Sequence, residues 1–206
     1  IVLLAILGEE SGSDRAAAPL TGRLAHLRPG SAGQREAVED RLIGTGVLTP
    51  EIASQYGALG YVGRASGVDR DVRRDTPYAP YDRLPFTVPV YRYGDVAARM
   101  RVRADEIRVS FELLERLFDE LPPGDILSPW IAPEIDAQGL GLVESWRGEL
   151  LAFVSFGEGG RIARYFPRDP SAINWPTLEH LIHNNIVPDF PVCNKSVNGS
   201  YSGNDL

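Results

Sequence analysis

His180 and His183 stand three apart in LEHLIHNN. On a helix that spacing puts both rings on one face, where a third ligand could complete a metal site. No carboxylate or thiolate stands at a matching interval, so ordinary helix histidines explain the pair better. Cys193 is the sole cysteine. It excludes an internal disulfide and any self-contained site of several thiolates, and it fits a reducing compartment. Its surroundings lack the glycine-flanked context of a nucleophile, so it reads as a small buried residue. The glycine clusters GTGVLT, GALGYVGRASG and GEGGR match neither a phosphate-binding loop nor a dinucleotide fingerprint, and turns and close packing account for them. Asn194-Lys195-Ser196 and Asn198-Gly199-Ser200 match the glycosylation sequon, which without a secretion signal is a chance match.

The arginines say more. Arg64, Arg70, Arg73, Arg74 and Arg83 interleave with Asp69, Asp71, Asp75 and Asp82. Such pairing can rigidify an irregular segment through bidentate hydrogen bonds, and it can equally bind an anion or the edge of a cofactor. Arg147 falls in a tight turn, and Arg161 and Arg164 follow the next one. Arg99, Arg103, Glu106 and Ser110 recur at i, i+4, i+7 and i+11, a polar stripe along one helix face. By itself the stripe reads as a solvated face, each pair contributing a few tenths of a kcal/mol.

The elements that must position these residues follow from punctuation and period. Residues 1–35 are weakly patterned: IVLLAIL reads as the end of a helix begun upstream, then a Gly/Ala/Pro/Ser-rich connection follows. A short amphipathic helix is expected after Glu36. Thr49 as cap and Pro50 at the first helical position start another, ended by Gly57 or Gly60. From Arg64 to Val90 the density of Pro, Asp and Gly predicts an irregular segment of a length that is usually functional or docked. The clearest helix is capped by Asp95 and stopped by Pro122-Pro123-Gly124, with Val96, Met100, Ile107, Phe111, Leu114, Phe118 and Leu121 as its apolar face. GLGLVESW, ELLAFVSF and RIARYF read as a three-stranded β-meander. NWPTLEHLIHNNI reads as a helix with Leu178, Leu181, Ile182 and Ile186 inward, and the tail after it shows little periodicity.

Bulk properties narrow the classes. Of 206 residues 43% are hydrophobic, enough for one domain with a sizeable core. A net charge of -7 argues against nucleic acid as a partner. No apolar run approaches the ~20 residues of a membrane-spanning helix.

Several strings together resemble one superfamily: the large core subunit shared by NADH–quinone oxidoreductase (complex I) and membrane-bound energy-converting nickel–iron hydrogenases. Its pattern R-x-S-G, D-x-R, P-Y-x-x-Y, V-P and G-D-x-x-x-R-x-x-x-R-x-x-E-x-x-x-S falls here on Arg64, Ser66, Gly67, Asp71, Arg73, Pro77, Tyr78, Tyr81, Val88, Pro89, Gly94, Asp95, Arg99, Arg103, Glu106 and Ser110. E-x-x-R-G-E (Glu144 to Glu149), G-R-x-x-R (Gly160 to Arg164), D-P-S (Asp169 to Ser171) and the tail D-F-P continue it in order. The resemblance spans about Asp40 to Leu206 and implies that residues 36–206 are the carboxy-terminal half of a hydrogenase-large-subunit-like domain. The implied fold is mainly α, a helical bundle of the nickel–iron hydrogenase large-subunit type with a small antiparallel β-meander. It also implies that the polar stripe is an interior network, in which buried charges must be paired.

In the hydrogenase branch the tail resembles D-P-C-x-x-C, whose two thiolates help hold nickel and iron. The corresponding stretch here is Asn198-Gly199-Ser200 with Gly203, so Ser200 and Gly203 occupy the cysteine positions and no metal is expected. Arg147 matches the arginine over the metal cavity, with Trp146 in place of the usual proline. Arg147, Glu144 and Arg64 are the expected cavity-lining, cofactor-binding residues, and no catalytic residue is assigned. The resemblance implies no cofactor bound by this chain itself, an iron–sulfur cluster on a neighbouring small subunit, membrane subunits as further partners, and a quinone as the allowed acceptor. The expected place is cytoplasmic, peripheral to the membrane through those partners. A hydrogenase with unusual ligands and a non-catalytic coupling subunit are the rival expectations.

Overall fold

Capping chemistry sets the first boundaries. The structure, a computed structural model, describes residues 41–124, 127, 129 and 131–205. The helix end at IVLLAIL and the boundary at residue 35 lie outside the described residues, as does most of the amphipathic helix expected after Glu36. Helix α1, Pro50–Gln55, starts on the Thr49 hydroxyl, which accepts from the Ile52 N–H, with Pro50 where its missing N–H costs nothing. Gly57, in the left-handed region, turns the chain out of it. The glycine-rich string that follows is itself helical: α2, Gly60–Ala65, is wholly buried. Its glycines permit close approach rather than only turns, since a Cβ at Gly63 would overlap the Ala58 carbonyl.

The irregular segment expected from Arg64 to Val90 is interrupted by a single helical turn, α3, Val72–Asp75, capped by Asp71. The long helix α4, Val96–Asp119, is capped by Asp95, whose carboxylate accepts from the Ala98 N–H. The expected β-meander forms as β1 Gln138–Ser145, β2 Gly148–Phe156 and β3 Ile162–Arg168, in the order β1-β2-β3 and antiparallel throughout. Trp146 and Arg147 form the two-residue turn between the first pair. Helix α5, Ser171–Leu181, begins three residues earlier than the NWPTLEH reading and ends five earlier, so Ile186 lies outside it and exposed. The tail is more regular than its sequence suggests: α6, Phe190–Val197, ends on left-handed Asn198, and a last turn, α7, spans Tyr201–Asn204.

Helices α1, α2, α4, α5 and α6 share one core, centred on Tyr61, Val62, Val102, Leu181, Cys193 and Val197. The described residues are mostly helical with one antiparallel sheet, as expected. One expectation is corrected. Met100, Leu114, Phe118 and Leu121, placed on the inward face of α4, are exposed, Phe118 to 69%. Val96 and Phe111 of the expected face are buried, and beside them the inward face carries Ala97, Ala98, Arg99, Val102 and Leu113. Small Ala and Val side chains let neighbouring helices close in, and the arginine beside them finds acceptors on every side.

Candidate functional site

Four elements converge on Arg64, which extends from the end of α2 with its side chain 1% exposed. Its Nε and Nη2 donate to Glu106 Oε1 of α4 at 2.7 and 2.6 Å. Its Nη1 donates to Glu144 Oε1 of β1 and to the Arg70 carbonyl, both at 2.9 Å. Asp71 approaches the same Nη1 at 3.7 Å. Asp71 in turn accepts a fork from Arg73, Nε at 3.0 Å and Nη2 at 2.7 Å, and the Arg73 guanidinium lies 4.8 Å over the Phe86 ring. Glu144 Oε2 accepts the Val72 N–H at 3.1 Å, which ties the start of α3 to the sheet. Burial acts first on both glutamates and raises Glu106 and Glu144 above the ordinary carboxylate range, against the pull of Arg64. Desolvation lowers Arg64, and Glu106, Glu144 and Asp71 together more than reverse it.

Seven residues before Glu106 on the same helix, Arg99 is fully buried and meets only neutral acceptors: the Gly94 and Gly46 carbonyls at 2.6 and 2.8 Å and Ser196 Oγ at 2.9 Å. Desolvation pushes it down to about 10. Arg103 donates to the Ser196 carbonyl at 2.9 Å and lies 4.5 Å over the Tyr61 ring. The stack continues outward: Tyr61 faces Trp146 at 5.5 Å, and Arg147 lies 4.5 Å over Trp146. Tyr61, whose hydroxyl donates to the Val197 carbonyl, has its phenol raised by burial.

Arg147 reaches the tail, its Nε donating to the Asn198 carbonyl at 2.7 Å. Ser200 is bound on three sides: its N–H donates to Ser171 Oγ at 2.9 Å, its carbonyl accepts from Trp175 Nε1 at 3.2 Å, and its hydroxyl caps α7 by accepting from the Gly203 N–H at 3.0 Å. Gly203 lies against Asp169, and a Cβ there would stand 2.6 Å from the Asp169 Cγ. A Cβ at Gly199 would stand 2.8 Å from the Trp175 ring.

Of the three residues singled out as cavity-lining, Arg64 and Glu144 are in contact, whereas Arg147 joins Asn198 and Trp146 instead. Ser200 and Gly203 sit beyond Asn198 on the same stretch of tail. His180 and His183 do not share a helix face, because α5 ends at Leu181 and His183 lies in the turn after it; their ring centroids are still 6.1 Å apart, and His180 packs on Tyr56 at 4.7 Å. They border a cavity of about 410 Å³ with Leu48, Thr49 and Ile52. Among the described residues no three His, Cys, Asp or Glu side chains converge as a metal site. Sequence reasoning missed Tyr61 and Ser196. Tyr61 was hidden in a string read as glycine turns and close packing, and Ser196 in a tail without visible period.

A family model described as the respiratory-chain NADH dehydrogenase 49 kDa subunit matches residues 32–139, a span that holds Arg64, Asp71, Arg99 and Glu106. The chain is 32% identical over 168 residues to formate hydrogenlyase subunit 5 of Escherichia coli, covering 82% of this chain and 30% of that protein. It is 38% identical over 155 residues to an NADH-quinone oxidoreductase subunit of Herpetosiphon aurantiacus, covering 71% and 41%. It is 32% identical over 161 residues to the carbon monoxide-induced hydrogenase of Rhodospirillum rubrum, covering 78% and 45%. The chain thus spans less than half the length of each of these relatives.

Proposed function

We propose, from the premise that the chain belongs to the family of the respiratory-chain NADH dehydrogenase 49 kDa subunit and is related to hydrogenase large subunits, that it is part of a nickel-free core subunit in a membrane-associated redox complex. In this reading electrons come from an iron–sulfur cluster on a neighbouring small subunit and pass to a quinone, coupled to ion translocation through membrane subunits. The fold would be the carboxy-terminal half of the hydrogenase large-subunit bundle. Anchoring falls to partners on the cytoplasmic side, and among the described residues no helix is long and apolar enough to cross a membrane.

The observation that carries the reading is the tail. Soft bimetallic centres need thiolates. Ser200 offers a hard, protonated hydroxyl already engaged as a helix cap, and at Gly203 the space of a side chain is taken by Asp169. Cys193 is buried five residues ahead of left-handed Asn198, beside Gly46 in the core, and not at either tail position. Arg147, Trp146 and the Asn198 carbonyl would then line a chamber for a quinone head group, with the guanidinium as donor to a ring oxygen.

The test is metal analysis of the intact complex together with a quinone-reduction assay. Nickel below stoichiometric traces and electron transfer to a quinone are expected, and one nickel per complex would overturn the reading. Relatives named as hydrogenases at 32% identity favour a second reading, a hydrogenase with unusual ligands. Hydrogen uptake or evolution by the purified complex would select it.

A further inference from the structure

The cluster around Arg64 does not balance. Asp71, Glu106 and Glu144 bring three carboxylates, and Arg64 and Arg73 bring two guanidiniums; these five side chains are between 1% and 14% exposed. The next charges are committed elsewhere. Arg70 and Arg168 share Glu149, two guanidiniums on one carboxylate, but they are 57% and 31% exposed, so water screens their surplus charge; Asp75, which accepts the Asp71 N–H, is paired with Arg74. Arg103, on the same helix as Glu106, is held by the Ser196 carbonyl and the Tyr61 ring. Tyr81 lies under the Arg73 guanidinium, and burial raises the Tyr78 phenol, so Tyr78 adds no charge.

An uncompensated charge in such a place costs several kcal/mol, and the group takes a proton instead. The hydrogen bonds say which one. Both oxygens of Asp71 are filled by the Arg73 fork. Both oxygens of Glu144 are filled, by Arg64 and by the Val72 N–H. On Glu106 both donors fall on Oε1. Oε2 receives none from the described residues, so it can carry a hydrogen without displacing a bond.

We propose that the cluster is a proton-binding site, in which Glu106 holds one exchangeable proton on Oε2 at neutral pH and gives it up when positive charge is added nearby or negative charge removed. The raised titration of Glu106, which burial causes, agrees with this. The site does not depend on the acceptor being a quinone, since it rests on charge count and geometry alone. It would let a change of charge at the adjoining faces of α2, α3 or β1 be answered by proton release or uptake inside the protein.

Infrared titration of the full chain with carbon-13 glutamate tests it. A protonated-carboxyl C=O band is expected at pH 7, shifted by the label and absent in Glu106→Gln. Glu144→Gln should lose the band too, although Glu106 is still present, because two carboxylates then face two guanidiniums. Glu158→Gln, exposed in the β2–β3 turn and away from the cluster, should keep it. Absence of the band from the unaltered chain, or its survival in Glu106→Gln or in Glu144→Gln, would overturn the proposal. Should the variants fail to fold, the unaltered chain decides: unfolding at pH 7 should release about one proton, and no release would count against the site.

Discussion

Arg64 is the residue on which the interior charges depend. Replacing it by methionine keeps the bulk but leaves Glu106, Glu144 and Asp71 buried with Arg73 as their sole cation among the described residues. We expect Arg64→Met to lose about 3–5 kcal/mol, the usual consequence of removing one partner from a buried ion pair, read by urea denaturation. A loss under about 1 kcal/mol, the range of exposed pairs, would mean that solvent reaches the cluster. The sign of the pH dependence also follows. Glu106 and Glu144 ionise near 4.5 when unfolded and higher when folded. Above 4.5 the folded chain therefore holds more protons than the unfolded one, and the contribution of this pair falls as pH rises through the folded values. Measured against Glu106→Gln, the unaltered chain should be relatively most stable at low pH and lose ground toward neutrality. A gap that widens with rising pH would contradict the burial-driven shift. Asp75 works in the opposite sense: its hydrogen bond to Arg74 lowers its pKa, and that small, exposed contribution disappears as pH falls through the folded value.

Among the elements, α4 organises the rest, and its amino-terminal cap does two jobs. One Asp95 oxygen accepts the Ala98 N–H at 2.7 Å and the other accepts the Gly44 N–H at 2.9 Å. Asp95→Ala should cost about 1–3 kcal/mol, the sum of a lost cap and a stranded amide, while Asp95→Asn, whose single amide oxygen can serve only one of the two N–H groups, should recover the cap and not the Gly44 contact; thermal denaturation of the two variants measures the difference. The same helix shows how far a period can be trusted. Its existence, its cap and nearly its length were legible. Its orientation was legible only in part: Val96 and Phe111 turn inward, while Met100, Leu114 and Phe118 of the same expected face do not. Period tells that a helix has faces, and only the partners decide which face a folded chain buries. The close packing expected of the α2 glycines is present, but its partner was not legible, for a related reason. They are small to allow contact, and a contact partner such as Arg147, far along the chain from Gly60, leaves no local mark.

For the whole molecule, one such contact places the candidate site. Gly60 opens α2 with φ +57, and a Cβ there would overlap the carbonyl of Arg147 in the β1–β2 turn. Gly148, at φ +127, meets Leu59 and Gly60 from the other side. Helix and sheet touch backbone to backbone, and this seats Arg147 above the tail. Gly60→Ala should therefore cost about 3 kcal/mol or more, from overpacking and an unfavourable φ together. It should also shift the Trp146 fluorescence, since Tyr61 and Trp146 would separate. A variant with unchanged stability and emission would show that the turn moves freely.

By itself the sequence determined the chemistry at hand: one thiol, no thiol pair in the tail, an Arg/Asp-rich segment, capped helices and a meander. These follow from residue type and short spacing, which act within a few bonds of the chain. Tertiary structure alone decided that Arg64 gathers Asp71, Glu106 and Glu144 from three other elements, that Arg99 lies among carbonyls, and that Arg147 belongs with the tail. Those outcomes depend on which surfaces exclude water together. Burial turns a stripe of ordinary surface charges into a network that must balance, and no local pattern records where that burial falls.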